Sequence, residues 1–183
     1  MILLTTSHRP SPRTRSFIKD LASVLPRSQR VNRGHKTIVE LAIEARRRNC
    51  SFLAIVSEKH GNPGAIHIYE VKDGYPHPSV EMFVGVELGG VKLSRENPES
   101  SRAYNAESIS VDYTKCLSDD CFYLADALIK VFSKIHSNSA SLKLVLEESE
   151  FIVVKWLNVH GNPVGPLLEV KRVVKGGSFE SRS

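Results

Sequence analysis

The tetrapeptide His-Gly-Asn-Pro occurs twice in this sequence, at residues 60–63 and again at residues 160–163. Glycine, asparagine and proline favour turns, and each copy lies between two apolar runs of strand length. These runs are 52–56 and 68–71 around the first copy, and 151–154 and 167–170 around the second. The repeated order predicts two β-hairpins and indicates an internal duplication. We therefore expect two duplicated half-domains, each a small sheet covered by helices, of which the second is shorter and lacks one helix.

Three segments have apolar residues at the spacing of a helix. The first begins at Ser11-Pro12, where serine can cap the helix and proline suits its first turn, and it ends at Pro26. The second covers about 36–48, and the third begins at Ser118. Additional strands are predicted at 2–6, 29–31, 80–86, 108–113 and 142–146. The fold class expected from this mixture is α/β, of the α+β type.

The predicted domain extends over residues 1–175 and is divided by a segment rich in Gly, Ser, Asn and Pro. That composition is typical of linkers, so we place a linker at about 88–103. The N-terminal half then covers about 1–87 and the C-terminal half about 104–175. Residues 176–183 are predicted to form a flexible tail.

Charge is distributed unevenly along the chain, although the net charge of all 183 residues is only +5. Residues 1–57 contain 11 Lys and Arg against 3 Asp and Glu, whereas residues 58–126 contain 6 against 12. Residues 127–183 contain 8 against 5. A basic N-terminal third beside an acidic middle favours a basic binding surface for nucleic acid over charge that serves only solubility. The alternative is a set of solvated helix faces that bind nothing.

The sequence lacks the motifs of several large enzyme classes. It has no phosphate-binding glycine loop, no zinc motif such as His-Glu-x-x-His or Cys-x-x-Cys, and no Gly-x-Ser-x-Gly nucleophile motif. The adjacent carboxylates at 119–120 and 147–148 point in different directions on a helix or strand, which places each pair poorly for acid–base catalysis. His60 and His160 belong to the two turns. We predict no catalytic residues, no metal and no cofactor.

The three cysteines, Cys50, Cys116 and Cys121, form neither a zinc motif nor an even-numbered disulfide framework. Cys50 is predicted to pack as a small hydrophobe. Cys116 and Cys121 are close enough in sequence to bridge, but two reduced thiols are the expected state. The N-terminal apolar stretch is too short for a signal peptide, and no run approaches the ~20 apolar residues of a membrane span. We expect a soluble, cytoplasmic protein that binds no membrane.

Basic residues are concentrated around the first two predicted helices. Arginines near the start of the first helix can converge with its free N–H groups, an arrangement that attracts phosphates. Arginine suits phosphate because its planar fork donates two hydrogen bonds at once. In the loop before the second helix, Asn32 can hold the turn or meet a base edge, and Gly34 allows close approach. The candidate RNA-binding residues are Arg9, Arg13, Arg15, Arg30, Asn32, Arg33 and Lys36, together with Lys171, Arg172 and Lys175 near the last strand.

A series of short motifs runs through nearly the whole chain. Leu4-Thr5-Thr6-Ser7 is followed by Arg13-Thr14-Arg15-Ser16-Phe17, by Arg30-Val31-Asn32-Arg33-Gly34 and by the first His-Gly-Asn-Pro turn. Gly165-Pro166 and Glu169-Val170-Lys171-Arg172 stand near the end. In this order the motifs resemble the Brix-domain family of ribosome-biogenesis proteins, and in particular its short archaeal members. The resemblance implies half-domains similar to the anticodon-binding domains of class II tRNA synthetases.

The resemblance also implies a function, which is RNA binding during rRNA processing and subunit assembly, without catalysis. The partners it implies are rRNA or pre-rRNA, a guide RNA and other ribosome-assembly proteins, with no small-molecule substrate. Our leading hypothesis is therefore an RNA-binding factor that uses the basic residues to contact phosphates, while the acidic middle avoids RNA and faces a protein partner. The alternatives are a protein–protein scaffold in pre-ribosomal particles with weak RNA contact, and a tRNA-binding module.

Overall fold

The computed structural model describes residues 1–101, 103, 106–134 and 140–176 of the chain. The strands are β1 (Ile2–Thr6), β2 (Gln29–Arg30), β3 (Phe52–Lys59), β4 (Asn62–Lys72), β5 (Ser79–Lys92), β6 (Ile109–Lys115), β7 (Leu142–Glu148), β8 (Ile152–Asn158) and β9 (Pro163–Lys175). The helices are α1 (Pro12–Val24), α2 (Ile38–Arg47) and α3 (Asp119–Val131), with a single 3-10 turn at Ser94–Glu96. Except for Gly176, the predicted tail lies outside the described residues.

The mixed α/β class predicted from the sequence is confirmed, but the sheet is continuous. Its strands lie in the order β2-β1-β3-β4-β5-β9-β8-β7-β6. β5 and β9 run antiparallel beside each other, from the pair Val84 and Lys175 to the pair Lys92 and Leu167. This pairing joins β1–β5 to β6–β9 through backbone hydrogen bonds, so the two separate small sheets that we expected form one.

Each half of the sheet has the same order of pairings. β1 is parallel to β3, β3 is antiparallel to β4, and β4 is antiparallel to β5. Likewise β6 is parallel to β7, β7 is antiparallel to β8, and β8 is antiparallel to β9. α1 follows β1 as α3 follows β6. Among the described residues of the second half nothing corresponds to β2 or α2, in agreement with the prediction that this half has one helix fewer.

The two His-Gly-Asn-Pro copies do not lie in corresponding hairpins. The first joins β3 to β4, whereas the second joins β8 to β9, whose counterpart in the first half is the connection between β4 and β5. His60 and Gly61 have φ of 51° and 77°, the pattern of a two-residue type I′ turn. In the second copy Gly161 has φ of 80° and donates its N–H to the Asn158 carbonyl over 3.0 Å, which makes a longer loop. The tetrapeptide therefore reflects local turn chemistry, and our use of it as a sign of duplication is wrong.

The glycine-rich stretch that we predicted as the start of a linker is part of a strand. β5 continues to Lys92, and its last residues pair with β9. The register shifts on both sides of Leu88, where the strand bulges. A side chain at Gly90 would begin 2.7 Å from the Glu169 carboxylate, so glycine permits the close approach of the two strands. Residues 88–92 thus belong to the seam between the halves, and the connection between them begins only after Lys92.

α1 and α3 pack on the same face of the sheet and share one hydrophobic core. Its buried residues come from both halves and include Phe17 of α1 and Leu144 of β7, each with no exposed surface. Val24 at the end of α1 lies against Gly165 of β9, where a Cβ would come 2.3 Å from Val24 Cγ1. Burying one such large apolar side chain stabilises by about 1.5–3 kcal/mol, so this core holds the halves together. α2 covers the opposite face through a smaller cluster around Leu41.

Cys116 and Cys121 form a disulfide, which corrects the prediction of two reduced thiols. Cys116 follows β6 and Cys121 lies in the first turn of α3, with their Cα atoms 5.4 Å apart. They meet because Ser118 caps α3, accepting a hydrogen bond from the Cys121 N–H over 3.2 Å, and so turns the chain back. Cys50 is free and fully buried, as expected for a small hydrophobe.

Candidate nucleic-acid interface

A cleft lies between the start of α1 and the loop that follows β2. Parallel pairing of β1 with β2 places the chain after β2 beside the chain after β1. The Val31 N–H donates to the Leu4 carbonyl over 2.9 Å, and the Thr5 hydroxyl donates to the Val31 carbonyl over 3.0 Å, which fixes the loop. The cleft is lined by Arg15, Arg30, Asn32 and Arg33, beside Pro10 and Gly34. Four of the predicted RNA-binding residues therefore meet in one place.

The three arginines of this cleft have no carboxylate partner in the described part of the chain. Arg15 and Arg30 are exposed, and Arg15 donates to the Pro10 carbonyl over 2.9 Å. Arg33 is half-buried, and its Nε is buried without a hydrogen-bond partner. A ligand oxygen would therefore contact the Nη groups of Arg33 and not its Nε.

His8 ties the loop to the end of β1. Its Nδ1 lies 2.9 Å from the Gly34 carbonyl, and its Nε2 lies 3.5 Å from Arg33 Nη2. Because a carbonyl only accepts, Nδ1 carries the proton of the first contact and Nε2 is left to face the Arg33 donor. Gly34 has φ of 54°, which glycine adopts without strain. Arg9 stands next to Pro10 at this cleft, exposed and without a carboxylate partner among the described residues.

The start of α1, which we predicted as a phosphate site, is already occupied by the Glu58 carboxylate. Glu58 Oε2 accepts hydrogen bonds from the Ser11 N–H over 2.7 Å and from the Thr14 hydroxyl over 2.8 Å. The Ser11 hydroxyl accepts from the Thr14 N–H as the helix cap. These hydrogen bonds, first of all the one from the Ser11 N–H, lower the pKa of Glu58 from its usual value of 4.5. Glu58 therefore places a negative charge at this helix start and takes up the Ser11 N–H. Phosphate binding there stays a prediction.

Arg13 is directed away from the cleft. Its guanidinium forms a two-armed ion pair with Glu96, in which Nη2 lies 2.8 Å from Oε2, and it also donates to the Val91 carbonyl over 2.9 Å. The hydrogen bond between them raises the pKa of Arg13 and lowers that of Glu96. Arg13 therefore joins α1 to the end of β5, where it lines a second groove. Its phosphate contact stays a prediction. No local sequence pattern indicates this ion pair, because Glu96 is 83 residues away.

Lys36 also has a carboxylate partner. Its Nζ lies 3.0 Å from Glu44 of α2 and donates to the Asn32 carbonyl over 3.3 Å. The hydrogen bond from Lys36 is the largest cause that lowers the pKa of Glu44. Lys36 thus shapes the loop that carries Asn32 and Arg33, while Glu44 neutralises most of its charge.

The three basic residues near the C-terminus do not join this cleft. Arg172 pairs with Glu87 over 2.8 Å on the face of the sheet opposite α1 and α3. Lys175 turns to the helix-covered face, 3.4 Å from Asp120 of α3. Lys171 has no carboxylate partner in the described ranges and lines a second groove. The ten predicted residues are thus divided among several surfaces.

The second groove lies on the other side of the α1 start, between the β3–β4 hairpin and the glycine bulge of β5. Basic and acidic side chains both line it beside Gly89 and Gly90, namely Arg13, Lys59, His60 and Lys171 together with Glu58 and Glu87. Sequence reasoning missed Lys59 and treated His60 only as a turn residue. Their place in a type I′ turn predicts that Lys59 and His60 are exposed. No pattern in the sequence indicates that this hairpin lies beside β9.

Neither a metal-ligand cluster nor a membrane-spanning helix is found among the described residues. In residues 1–101, 103, 106–134 and 140–176, no three His, Cys, Asp or Glu side chains group as metal ligands do. No helix in the same ranges has the length and apolar character needed to cross a bilayer. The chemistry that the cleft offers is that of guanidinium and amide donors.

Comparison with known proteins shows which family the chain belongs to. No protein-family model matches the chain. A probable Brix domain-containing ribosomal biogenesis protein of Aeropyrum pernix is 33% identical over 171 residues, which cover 91% of this chain and 93% of that protein. The chain belongs to the Brix domain-containing ribosomal biogenesis proteins. Brix proteins of Pyrococcus horikoshii and Methanopyrus kandleri are 33% and 30% identical, over 93% and 95% of this chain and 83% and 88% of their own length.

Solved structures agree with this assignment to the Brix family. The crystal structure of the probable ribosomal biogenesis protein from Aeropyrum pernix aligns with a TM-score of 0.79 and 35% identity, covering 92% of this chain and 94% of that one. Mil, an archaeal Imp4-like protein, aligns with a TM-score of 0.68 over 95% of this chain and 99% of its own, and at 22% identity it shows the fold alone. The resemblance inferred from the motifs is confirmed.

Proposed function

We propose that this Brix-family chain is an RNA-binding ribosome-biogenesis factor that acts in rRNA processing or folding through the cleft between α1 and the β2–α2 loop. One observation carries the proposal. Arg15, Arg30 and Arg33 converge around Asn32 with no carboxylate partner in the described part of the chain. The family supplies the context, since the relatives are named as ribosomal biogenesis proteins.

The chemistry of the cleft suits a polyanion. Three guanidinium groups around one cleft repel one another, and a phosphodiester relieves that repulsion. Each guanidinium can donate two parallel hydrogen bonds to phosphate oxygens. The exposed Asn32 amide both donates and accepts, as the edge of an unpaired base does. In this proposal the arginines hold the RNA backbone in place and Asn32 contacts a base.

The proposed RNA path continues across the start of α1 into the second groove, where Lys59 and Lys171 stand without carboxylate partners in the described ranges. Arg9 contributes charge at the first cleft. Arg172 and Lys175 contribute less to RNA binding, because they form ion pairs with Glu87 and Asp120. The partners in this proposal are rRNA or pre-rRNA, a guide RNA that pairs with it, and other ribosome-assembly proteins, all in the cytoplasm.

We also infer that the chain arose by internal duplication, with each half related to the anticodon-binding domains of class II tRNA synthetases. The support is the recurring order of pairings, in which β1, β3, β4 and β5 match β6, β7, β8 and β9. A superposition of the two strand sets tests the inference. If α1 and α3 do not overlap when the strands are superposed, the halves are not copies.

RNA binding through the cleft is testable by fluorescence anisotropy with a labelled single-stranded rRNA fragment. The double variant Arg30→Ala, Arg33→Ala should bind at least about tenfold more weakly than the wild type near physiological salt. The log–log slope of affinity against salt should lose about 1.4 in magnitude, since each phosphate contact contributes about 0.7 for a single strand. Arg30 is exposed and Arg33 has a buried Nε without a hydrogen-bond partner, so the free energy of unfolding should change by less than about 1 kcal/mol.

The matched control is Arg47→Ala with Lys134→Ala, which removes the same charge from two exposed side chains outside the cleft. An equal loss of affinity in the control would show that overall charge, and not the cleft, binds RNA. An affinity that does not depend on salt would favour the protein–protein scaffold. A preference for tRNA over rRNA in competition would favour the tRNA-binding module.

A further inference from the structure

Three apolar side chains stand exposed together where β6 ends and α3 begins. Tyr113, Leu117 and Phe122 are 40%, 78% and 43% exposed. The rings of Tyr113 and Phe122 pack edge to face, with centroids 6.3 Å apart and planes at 80°. Leu117 and Phe122 occupy the positions just before the cap and four residues after it, which are neighbours at a helix start. Single exposed apolar residues are common, but a contiguous group on a monomer marks an interaction surface.

The backbone under this group is held in place from two sides. The Cys116–Cys121 disulfide closes the turn between β6 and α3. The Glu148 carboxylate at the end of β7 accepts hydrogen bonds from the Leu117 N–H over 2.6 Å and from the Ser118 N–H over 2.8 Å. A turn that is fixed in this way presents Leu117 to solvent as part of the folded structure. β6 is also the last strand of the sheet, so its outer side has no neighbouring strand among the described residues.

Two carboxylates without ion-pair partners stand beside this group, while the nearby Lys115 is paired with Glu147. Asp119 and Asp126 are exposed and have no ion-pair partner in the described part of the chain. They stand three residues before and four residues after Phe122 on α3, so all three lie on one face of the helix. Carboxylates at this spacing repel an RNA backbone and attract lysine and arginine.

We propose that the surface formed by Tyr113, Leu117, Phe122, Asp119 and Asp126 docks a basic amphipathic segment of a partner protein. An apolar side chain of the segment packs against Tyr113, Leu117 and Phe122, while its Lys or Arg side chains reach Asp119 and Asp126. This docking surface is at the β6 edge of the sheet, whereas the RNA cleft follows β2 at the opposite edge. Nine strands roughly 4.8 Å apart separate the two edges by about 38 Å along the sheet, so both surfaces can be occupied at once.

Anisotropy with a short fluorescein-labelled peptide, in which two leucines are flanked by lysines, tests the docking surface on the full chain. The wild type should bind this peptide and should not bind the matched peptide with glutamate in place of lysine. Leu117→Ser with Phe122→Ser should weaken binding about tenfold or more, as loss of apolar anchors does. Asp119→Asn with Asp126→Asn should weaken it by a similar factor and flatten its dependence on salt.

Tyr75→Ser is the control, because Tyr75 is a fully exposed aromatic residue remote in sequence from the docking surface, and it should leave peptide binding unchanged. All of these variants should keep the rRNA affinity of the wild type, which separates this proposal from the one about the cleft. Equal peptide binding by all variants would overturn it. Self-association of the wild type that Phe122→Ser abolishes in sedimentation would also overturn it, since the surface would then serve a second copy of the chain.

Discussion

The carboxylate of Glu58 accepts hydrogen bonds from the Ser11 N–H and the Thr14 hydroxyl, and so places a negative charge at the start of α1, where it lines the second groove. It reaches these donors from β3, 47 residues from Ser11 and 44 from Thr14. Local sequence identifies Ser11 as a cap and the arginines as a source of positive charge. It does not show which carboxylate arrives from a distant strand. For the same reason it placed Arg13 and Arg15 in one group, although Arg13 binds Glu96 and only Arg15 lines the cleft.

The lowered pKa of Glu58 links its hydrogen bonds to the pH dependence of folding. Its contribution to stability is fully present above the unfolded-state pKa of 4.5 and is lost as pH falls through the lower folded-state value. We expect Glu58→Ala to lower the free energy of unfolding by about 1 kcal/mol at neutral pH. The difference from the wild type should shrink as pH falls below 4.5. Urea unfolding at neutral pH and at an acidic pH below 4.5 measures it.

Glu150 provides the control for this experiment, because it is an exposed carboxylate in the β7–β8 turn with no ion-pair partner among the described residues. Glu150→Ala should match the wild type at both pH values. A deficit of Glu58→Ala that stays constant with pH would mean that the side chain acts through packing and not through its charge.

At the scale of elements, the sequence predicts those whose signals are local. α1 begins at Pro12 after the Ser11 cap, and α2 begins after a capping box between Thr37 and Glu40. Both helices lie where the apolar spacing places them, with ends that differ by up to two residues. β5 shows the limit, because Gly89 and Gly90 give its second part the composition of a loop. Only pairing with β9 makes that part a strand, and this partner is about 80 residues away.

The packing of α1 against β9 can be tested at Gly165. This residue has φ of 69°, and an added Cβ would come 2.3 Å from Val24 Cγ1. Gly165→Ala should therefore lower the free energy of unfolding by about 3 kcal/mol, from backbone strain and the clash together. Gly161→Ala is the control, since Gly161 has φ of 80° with nothing within 4 Å, and it should cost about 1 kcal/mol. If urea unfolding gives the same loss of free energy for both variants, α1 moves away from the added methyl group without cost.

At the scale of the whole molecule, one continuous sheet replaces the two separate small sheets expected from the sequence. The sequence predicts the content of each half, because strands and helices have local periodicity. It does not predict that β5 pairs with β9. This pairing joins the edge strands of the two halves, and local periodicity does not show which strand lies at an edge. α1 and α3 then lie over the same face and bury residues of both halves in one cluster.

A shared core predicts that the chain unfolds as one cooperative unit. Trp156, the single tryptophan, is 3% exposed in β8 and reports on the second half, whereas far-UV circular dichroism reports on the whole. Phe17→Ala in α1 should lower the free energy of unfolding by about 3–5 kcal/mol. The urea midpoints from Trp156 fluorescence and from circular dichroism should fall together. A Trp156 transition that stays at its wild-type midpoint would mean that the halves unfold independently.

β9 follows the other eight described strands along the chain, yet it lies inside the sheet between β5 and β8. During synthesis on the ribosome, β5 therefore emerges long before its neighbour and stays for that time an open edge that other nascent chains can join. The bulge and the glycines at 88–90 interrupt the regular hydrogen-bonding pattern of that edge. They make β5 a poor template for foreign strands while it waits for β9.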